Sequence, residues 1–178
     1  MSLQATVIKD ILYAATTYGA AYDTLREMSG LTDYEIGDSN LTVEWQKSVF
    51  LWDMLADIFK NEQIGLYLGR EVHLSMLGMV GFLMQSCKTL GETVEIYCEY
   101  GYMVCPMVIM KYKREKGKAI LEFHQNTMWK SSYERNARVG IDFTLSSTVY
   151  FARLLSGKNV VPIVVELEHR KCGVDAYN

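Results

Sequence analysis

The spacing of apolar residues predicts that the first part of the chain, to about residue 105, is helical. One helix face recurs through Leu3, Val7, Ile11, Ala14 and Tyr18, and this pattern ends at Gly19. A shorter helix is predicted over about residues 20–28, with Ser29-Gly30 as its C-terminal cap. Residues 31–41 combine glycine, aspartate, serine and asparagine, a composition typical of a loop.

The next predicted helix carries two of the three tryptophans. Thr42 is its candidate N-cap, and the helix is predicted to run to about Lys60. Its apolar residues recur at helical spacing and are Trp45, Val49, Trp52, Ala56 and Phe59. Trp45 and Trp52 are therefore expected to lie on the same side of this helix.

The stretch that begins at Val72 is almost uncharged and contains two glycines. Ser75 is predicted to cap a helix over Met76–Ser86. This helix is much shorter than the roughly 20 apolar residues that a membrane-spanning helix needs, so a membrane segment is not expected. Gly78 and Gly81 share one face, where they would let another backbone or a ligand approach closely.

Two further helices are predicted from capping boxes. Thr89 and Glu92 have the spacing of such a box, and the helix that they begin must end before Pro106. A second box, Ser131-Ser132-Tyr133-Glu134, is predicted to open a long helix to about Leu155. The buried face of this long helix is predicted to contain Ala137, Ile141, Leu145, Val149 and Ala152.

The pattern changes to alternation in the second part of the chain. Met107–Lys113 and Ala119–His124 are predicted strands, and the charged residues 114–118 between them predict a hairpin. A third strand is predicted over Val160–Leu167, with Pro162 favouring its start or a sheet edge. We therefore predict an α+β fold, with N-terminal helices followed by a small, mainly antiparallel sheet and a long packed helix. Residues 1–178 are expected to form one domain, helical over 1–105, with the hairpin, long helix and final strand over 106–170.

The composition is that of a folded protein without an electrostatic footprint for nucleic acid. Apolar residues make up 49% and charged residues 22% of the chain, which argues against disorder. The net charge is −3 and no stripe of lysine and arginine occurs, so this chain alone is not expected to bind DNA. Reduced thiols are favoured for the four cysteines, which form no CxxC pair: Cys87, Cys98, Cys105 and Cys172. No signal-peptide pattern opens the sequence, so a cytoplasmic location is expected.

No catalytic or cofactor motif stands out. The sequence contains no P-loop, no GxSxG elbow and no HExxH motif, so neither an enzyme nor a bound cofactor is expected. The three histidines, His73, His124 and His169, lie far apart in sequence and form no metal-ligand spacing.

Several polar and charged residues are candidates for a binding site. Asp53 and Asp57 lie one helical turn apart, on the side away from the tryptophans, and are expected to face solvent. Tyr133, Arg135 and Arg138 would suit an anionic ligand, but solvent exposure is the favoured interpretation of the two arginines.

Several short motifs occur in a characteristic order. They are Ile64-Gly65-Leu66-Tyr67-Leu68-Gly69-Arg70, Leu77-Gly78-Met79-Val80-Gly81-Phe82 and Thr89-Leu90-Gly91-Glu92, with Met28-Ser29-Gly30-Leu31 upstream and the run Val161 to His169 downstream. This ordered set, from about residue 18 onward, resembles the N-terminal effector-binding domain of AraC-type transcription regulators, in the arabinose-binding-domain subgroup. Thr93 departs from the family, which usually has alanine after the TLGE box.

The resemblance implies a sensor that binds an unknown small molecule and communicates with a DNA-binding domain, often as a homodimer. Members of the family carry a C-terminal pair of helix-turn-helix motifs, and none is found up to Asn178. Contact with DNA is therefore expected only through a domain that this chain does not contain.

Aromatic and methionine side chains supply the candidates for a ligand pocket. The chain has twelve tyrosines, six phenylalanines, three tryptophans and ten methionines, which either line pockets or fill the core. We predict a pocket for a small, partly apolar ligand between the helices and the sheet, near Trp45, Trp52, Phe82, Tyr100, Tyr112 and His124. Core packing remains the alternative for each of these residues.

Two other functions remain open at this point. A haem or gas sensor, or a sensor with another cofactor, would need His73 or His124 inside a cavity. A pure dimerisation module would need no cavity, whereas a ligand sensor needs one of a few hundred Å³.

Overall fold

The computed structural model describes residues 2–38 and 41–168, and these residues form an α+β fold, as predicted. The helices are α1 Ala5–Thr16, α2 Tyr22–Ser29, α3 Asp33–Gly37, α4 Trp45–Phe59, α5 Ile64–Leu68, α6 Gly78–Ser86, α7 Leu90–Tyr100, α8 Thr127–Ser132 and α9 Glu134–Ser156. The strands are β1 Ser2–Gln4, β2 Thr42–Glu44, β3 Val108–Glu115 and β4 Lys118–Gln125. They form two separate antiparallel ribbons, β1–β2 and β3–β4.

Three predicted helix ends are confirmed. The hydroxyl of Thr89 accepts a hydrogen bond from the backbone N–H of Glu92 at 3.2 Å, and the Glu92 carboxylate accepts one from the backbone N–H of Thr89 at 3.0 Å. This capping box begins α7. Gly30 and Gly157 end α2 and α9 in the left-handed conformation, with φ of 67° and 63°.

The predicted start of α4 at Thr42 is wrong. Residues 42–44 instead form β2, which pairs with β1 in the register Leu3–Val43, and both of these side chains are buried. This pairing also takes Leu3 out of the first helix, which begins at Ala5. Burial of the Leu3 and Val43 side chains therefore stabilises the strand pair more than Thr42 would stabilise a helix as its N-cap.

Two other local predictions are wrong between residues 31 and 86. Ser75 lies inside a 3₁₀ turn over Leu74–Leu77, and α6 begins only after that turn, at Gly78, which has φ of 55°. The predicted loop after α2 contains α3, which Thr32 and Glu35 begin with a capping box. The close approach predicted at Gly81 is confirmed, because a Cβ there would lie 2.6 Å from the carbonyl oxygen of Leu74.

The predicted capping box at Ser131 is also wrong. Ser131 and Ser132 belong to α8, whose cap is Asn126, because the Asn126 side-chain oxygen accepts hydrogen bonds from the backbone N–H groups of Met128 and Trp129. The long helix α9 begins at Glu134, directly after Tyr133.

The buried face of α9 differs in part from the predicted one. Ala137 and Ile141 are buried as predicted, whereas Leu145, Val149 and Ala152 are only partly buried. Part of the face is instead covered by α5, whose two glycines bring its backbone against α9.

The predicted hairpin is confirmed. In β3–β4, Met110 pairs with Phe123 and Tyr112 with Leu121, and the turn residues Lys116 and Gly117 both have positive φ, of 48° and 78°. Two positive φ values match a type I′ turn, which fits the twist of a hairpin.

The predicted third strand is wrong for the part of the chain that the structure describes. Residues 160–167 have no strand partner there. A run of β-branched residues favours an extended backbone, but a strand also needs a neighbouring edge to donate and accept hydrogen bonds. His169 and Cys172 lie outside the described residues.

One apolar cluster connects the elements, from Leu3 in β1 to Phe151 in α9. It includes both tryptophans of α4 and Trp129 of α8. Over residues 2–38 and 41–168, no helix is long and apolar enough to cross a membrane.

Candidate functional site

An open cleft lies between α4 and the corner where α8 meets α9. Its volume is about 370 Å³, within the range of small-molecule sites. The lining residues are Asp53 and Asp57 from α4, and Ser132, Tyr133, Glu134, Arg135 and Asn136 from the corner. A second depression of about 500 Å³ opens beside α8 and shares Glu134 with the first.

Asn136 holds the inner wall of this cleft together. Its side chain is 1% exposed, and its oxygen accepts a hydrogen bond from Nε1 of Trp129 at 2.6 Å. Its amide nitrogen donates to the backbone carbonyl of Val49 at 2.5 Å and to Oδ2 of Asp53 at 3.0 Å. One amide therefore connects α4, α8 and α9.

Asp53 is the inner carboxylate of the cleft, and the prediction that it faces solvent is wrong. It is partly buried, and burial is the main reason that the pKa of its carboxyl is raised above the ordinary value. Arg135 opposes this shift by favouring the charged form. Asp57, one turn further along α4, is exposed as predicted.

Arg135 forms the outer rim of the cleft. Its Nη2 donates to Oδ1 of Asp57 at 2.7 Å, and its Nε donates to Oε1 of Glu62 at 3.0 Å. Both carboxylates raise the pKa of the guanidinium. Because two carboxylates already neutralise this cation, the remaining charges of the lining, on Asp53 and Glu134, are negative.

Two of the predicted ligand-binding residues lie behind the cleft. Trp45 and Trp52 are 8% and 5% exposed, so both side chains belong to the core. The ring of Trp45 meets Tyr133, a lining residue, edge to face, with ring centres 6.1 Å apart. The ring of Trp52 packs on Phe143 of α9 with centres 5.1 Å apart.

The structure does not bring the other four predicted residues to this cleft. Phe82 is 67% exposed on α6, and Tyr100 is partly buried at the end of α7. Tyr112 pairs with Leu121, whereas His124 pairs with Ile109, three positions earlier on β3. Because strand side chains alternate, Tyr112 and His124 lie on opposite faces of the ribbon. A ligand role for these four residues stays a prediction.

His73 and His124 do not line the cleft. The backbone N–H of His73 donates to Oδ2 of Asp10 at 2.6 Å. Nδ1 of the His73 ring lies 3.3 Å from Oδ1 of the same carboxylate. His124 is exposed, with Nε2 3.5 Å from Oε2 of Glu122. Over the described ranges, no group of three or more histidine, cysteine, aspartate or glutamate residues is placed to hold a metal ion.

The raised pKa of Asp53 leads to a test by substitution. A folded-state pKa above the unfolded one gives stability that is present at low pH and is lost as the pH rises through the folded value. Asp53→Asn keeps an oxygen that can accept the hydrogen bond from Asn136. It also removes the ionisable group that causes the loss of stability at higher pH. We expect the variant to be more stable than the parent at pH 7, with the difference shrinking at about pH 4, near the ordinary pKa of aspartate.

Urea unfolding at the two pH values measures this difference. Asp57→Asn is the control, because it removes a partner of Arg135 at an exposed position and is expected to lower stability slightly at pH 7. Equal losses for the two variants at pH 7 would contradict the buried character of Asp53.

Comparison with known proteins places the chain in a family. A search of curated proteins finds no match. A family model described as the arabinose-binding domain of AraC transcription regulators, N-terminal, matches residues 19–178. The matched range includes every element from α2 to α9, and with them all residues that line the cleft. This family consists of ligand-binding regulatory domains and is not a family of enzymes. The chain therefore belongs to the family of N-terminal arabinose-binding domains of AraC transcription regulators.

Proposed function

We propose that this chain is the small-molecule effector-binding domain of a bacterial transcription regulator that acts in the cytoplasm. The observation that carries the proposal is the family match over residues 19–178. The domain would act by binding alone, without catalysis, and would reach DNA only through a C-terminal helix-turn-helix domain. The net charge of −3 is consistent with DNA contact through another domain, because DNA-binding surfaces are basic.

The cleft between α4 and the α8–α9 corner is the site that we propose for the effector. In support, its lining offers carboxylates and two hydroxyl groups, which suit a small polar metabolite better than an apolar one. Tyr133 and the Trp45 ring behind it supply an aromatic wall. Such a site differs from the pocket predicted between the helices and the sheet.

The position of the cleft also suggests how binding would be communicated. The cleft lies at the first turn of α9, a helix of 23 residues that crosses the domain. An effector that contacts both α4 and α9 would favour one arrangement of these two helices over another. Regulation requires only that its affinity for the two arrangements differs.

A thermal-shift screen against monosaccharides, amino acids and other polar metabolites tests effector binding. An effector at 100 times its dissociation constant should stabilise the domain by about 2.7 kcal/mol. We expect Tyr133→Ala and Arg135→Ala to abolish this stabilisation, and Phe82→Ser, at an exposed position on α6, to leave it unchanged.

The possible outcomes distinguish an error in the proposed site from an error in the proposed function. If stabilisation survives both cleft variants but is lost with Phe82→Ser or Tyr112→Ala, the effector binds in the pocket predicted between the helices and the sheet and not in the cleft. The absence of stabilisation by any compound in the screen would count against effector binding itself.

We also propose that the domain forms a homodimer, as the family resemblance implies. Symmetric dimers are the commonest oligomers, and a regulator with two DNA-binding domains reads two half-sites. Light scattering coupled to size-exclusion chromatography measures the mass of the chain in solution, where a dimer has twice the mass of 20.4 kDa.

A further inference from the structure

The segment Val160–Leu167 exposes an unusual amount of apolar surface. Five of its eight residues are β-branched, and the exposed fractions are 62% for Val161, 79% for Ile163, 70% for Val164 and 45% for Val165. Over the described ranges, this segment pairs with no strand. A contiguous exposed apolar segment with high strand propensity is typical of an interaction surface.

The same chain carries a ribbon that can accept a strand. Strands β3 and β4 have eight residues each, and within the part of the chain that the structure describes they pair only with each other. A two-stranded ribbon leaves unpaired N–H and C=O groups along its outer edges, and such edges bind further strands. The length of the segment matches that of the ribbon.

The charges of the segment and the ribbon are complementary. The ribbon and its turn contain five basic residues, Lys111, Lys113, Arg114, Lys116 and Lys118, against the two acidic residues Glu115 and Glu122. Residues 160–168 contain Glu166 and Glu168 and no basic residue. Glu166 lies within the segment, and a strand that brings its carboxylate to a basic ribbon gains from this attraction.

Within one copy, the described segment is tied at both ends to helices and is not paired with the ribbon. At its start, Nε of Arg153 on α9 donates to the carbonyl oxygen of Val160 at 2.8 Å. At its end, Lys130 of α8 forms an ion pair with Glu168. The segment therefore extends from the last turns of α9 to α8, and it leaves its apolar side chains exposed.

We propose that Val160–Leu167 adds as a third strand to an open edge of the β3–β4 ribbon of a second copy of this chain. The partner is a second copy because one chain carries both the acidic, apolar strand and the basic edge, so two copies can exchange strands reciprocally about a twofold axis. This inference rests on the proposed dimer and assigns its interface.

The test compares the dissociation constants of dimers by analytical ultracentrifugation, without effector. Ile163→Asp places a charge at a solvent-exposed position, so the fold should be retained, and the melting temperature checks this. We expect it to raise the dissociation constant about tenfold or more, as loss of a central apolar contact does. Met79→Asp is the matched control on α6, where the side chain is 71% exposed, and it should leave the dissociation constant unchanged.

A charge exchange tests the partner edge. Glu166→Lys and the double variant Lys111→Glu, Lys113→Glu should each weaken self-association, and an equimolar mixture of the two should associate more tightly than either alone. Rescue by mixing requires that the segment of one copy meets the ribbon of another.

Three results would overturn the proposal. The chain could be monomeric at all concentrations, the dimer could survive Ile163→Asp and be lost with Met79→Asp, or amides 160–167 could be protected from hydrogen exchange in the monomer. The last result would mean that the segment pairs within its own chain. Because no effector is present, each of these results leaves the effector-binding proposal standing.

Discussion

Replacing Gly69 with alanine should lower the free energy of unfolding by about 3 kcal/mol or more, the upper part of the range for overpacked cores. A Cβ at this position would lie 2.6 Å from the carbonyl oxygen of Phe143, 2.7 Å from Cβ of Ser146 and 2.8 Å from the backbone nitrogen of Ser147. Two of these atoms belong to the α9 backbone and cannot rotate away. The helices α5 and α9 would have to move apart.

The expected sign is opposite to the usual effect of this substitution in a helix. Gly69 has φ of −64° and ψ of −12°, a conformation that alanine adopts readily. On conformational grounds alone, alanine would therefore stabilise by up to about 1 kcal/mol. A large loss can come only from the crossing of the two backbones.

Gly37→Ala is the matched control, because a Cβ there would meet no atom within 4 Å and the residue does not have positive φ. Gly65→Ala should behave like Gly69→Ala, since its Cβ would overlap the carbonyl oxygen of Val139. Urea unfolding of the three variants measures the differences. If Gly69→Ala and Gly37→Ala were equally stable, α5 would not cross α9 as described.

The sequence predicts the parts of this fold that depend on neighbours along the chain. The capping box of α7 joins Thr89 to Glu92, and the turn of the hairpin needs only Lys116 and Gly117, so each signal is contained in a few residues. Prediction fails where the local structure depends on a residue that is far away in the sequence. Thr42 is drawn into a strand by Leu3, and no pattern around Thr42 reveals that partner.

The crossing of α5 and α9 shows the same limit. The glycines at 65 and 69 are visible in the sequence, and they form part of the motif on which the family resemblance depends. Their spacing indicates that some backbone comes close. That this backbone belongs to residues 139–147 depends on how the chain folds back on itself, and the structure is needed to find it.

The candidate site was harder to predict than the fold. Asp53 and Asn136 are 83 positions apart in sequence, and both are hydrophilic residues that a solvent-facing pattern explains equally well. The sequence instead favoured aromatic residues, since these often line pockets. Trp45 and Trp52 are confirmed on one buried side of α4, but they lie behind the cleft and do not line it.

Replacing Asn136 with leucine should produce the second large loss of stability. Leucine has the same number and branching of side-chain heavy atoms, but its methyl groups are bulkier and it removes every hydrogen bond of the amide. The indole N–H of Trp129 would then be buried without this partner, whereas the carbonyl of Val49 would keep its bond within α4. A buried unsatisfied donor costs about 1–3 kcal/mol and the bulkier side chain adds strain, so we expect a total loss of about 3 kcal/mol.

Gln85→Leu is the control for this substitution. It replaces another amide that donates to a backbone carbonyl, that of Gly81, but at an exposed position on α6. The change in its free energy of unfolding should stay within about 0.5 kcal/mol. Thermal and urea unfolding at pH 7 measure both variants, and equal effects would mean that the Asn136 bonds do not hold α4, α8 and α9 together.

A second substitution at this position distinguishes the effect of lost hydrogen bonds from the effect of changed shape. Asn136→Asp keeps an oxygen that can accept from Trp129, but it places a second carboxylate beside Asp53, where the amide nitrogen now lies 3.0 Å from Oδ2. Two adjacent carboxylates raise the pKa of the pair, so a proton is bound more tightly in the folded state than in the unfolded state. The variant should therefore be strongly destabilised at pH 7 and recover stability as the pH falls towards 4, whereas Asn136→Leu should show no such recovery. Parallel losses for the two variants across this pH range would mean that residues 53 and 136 do not share one buried network.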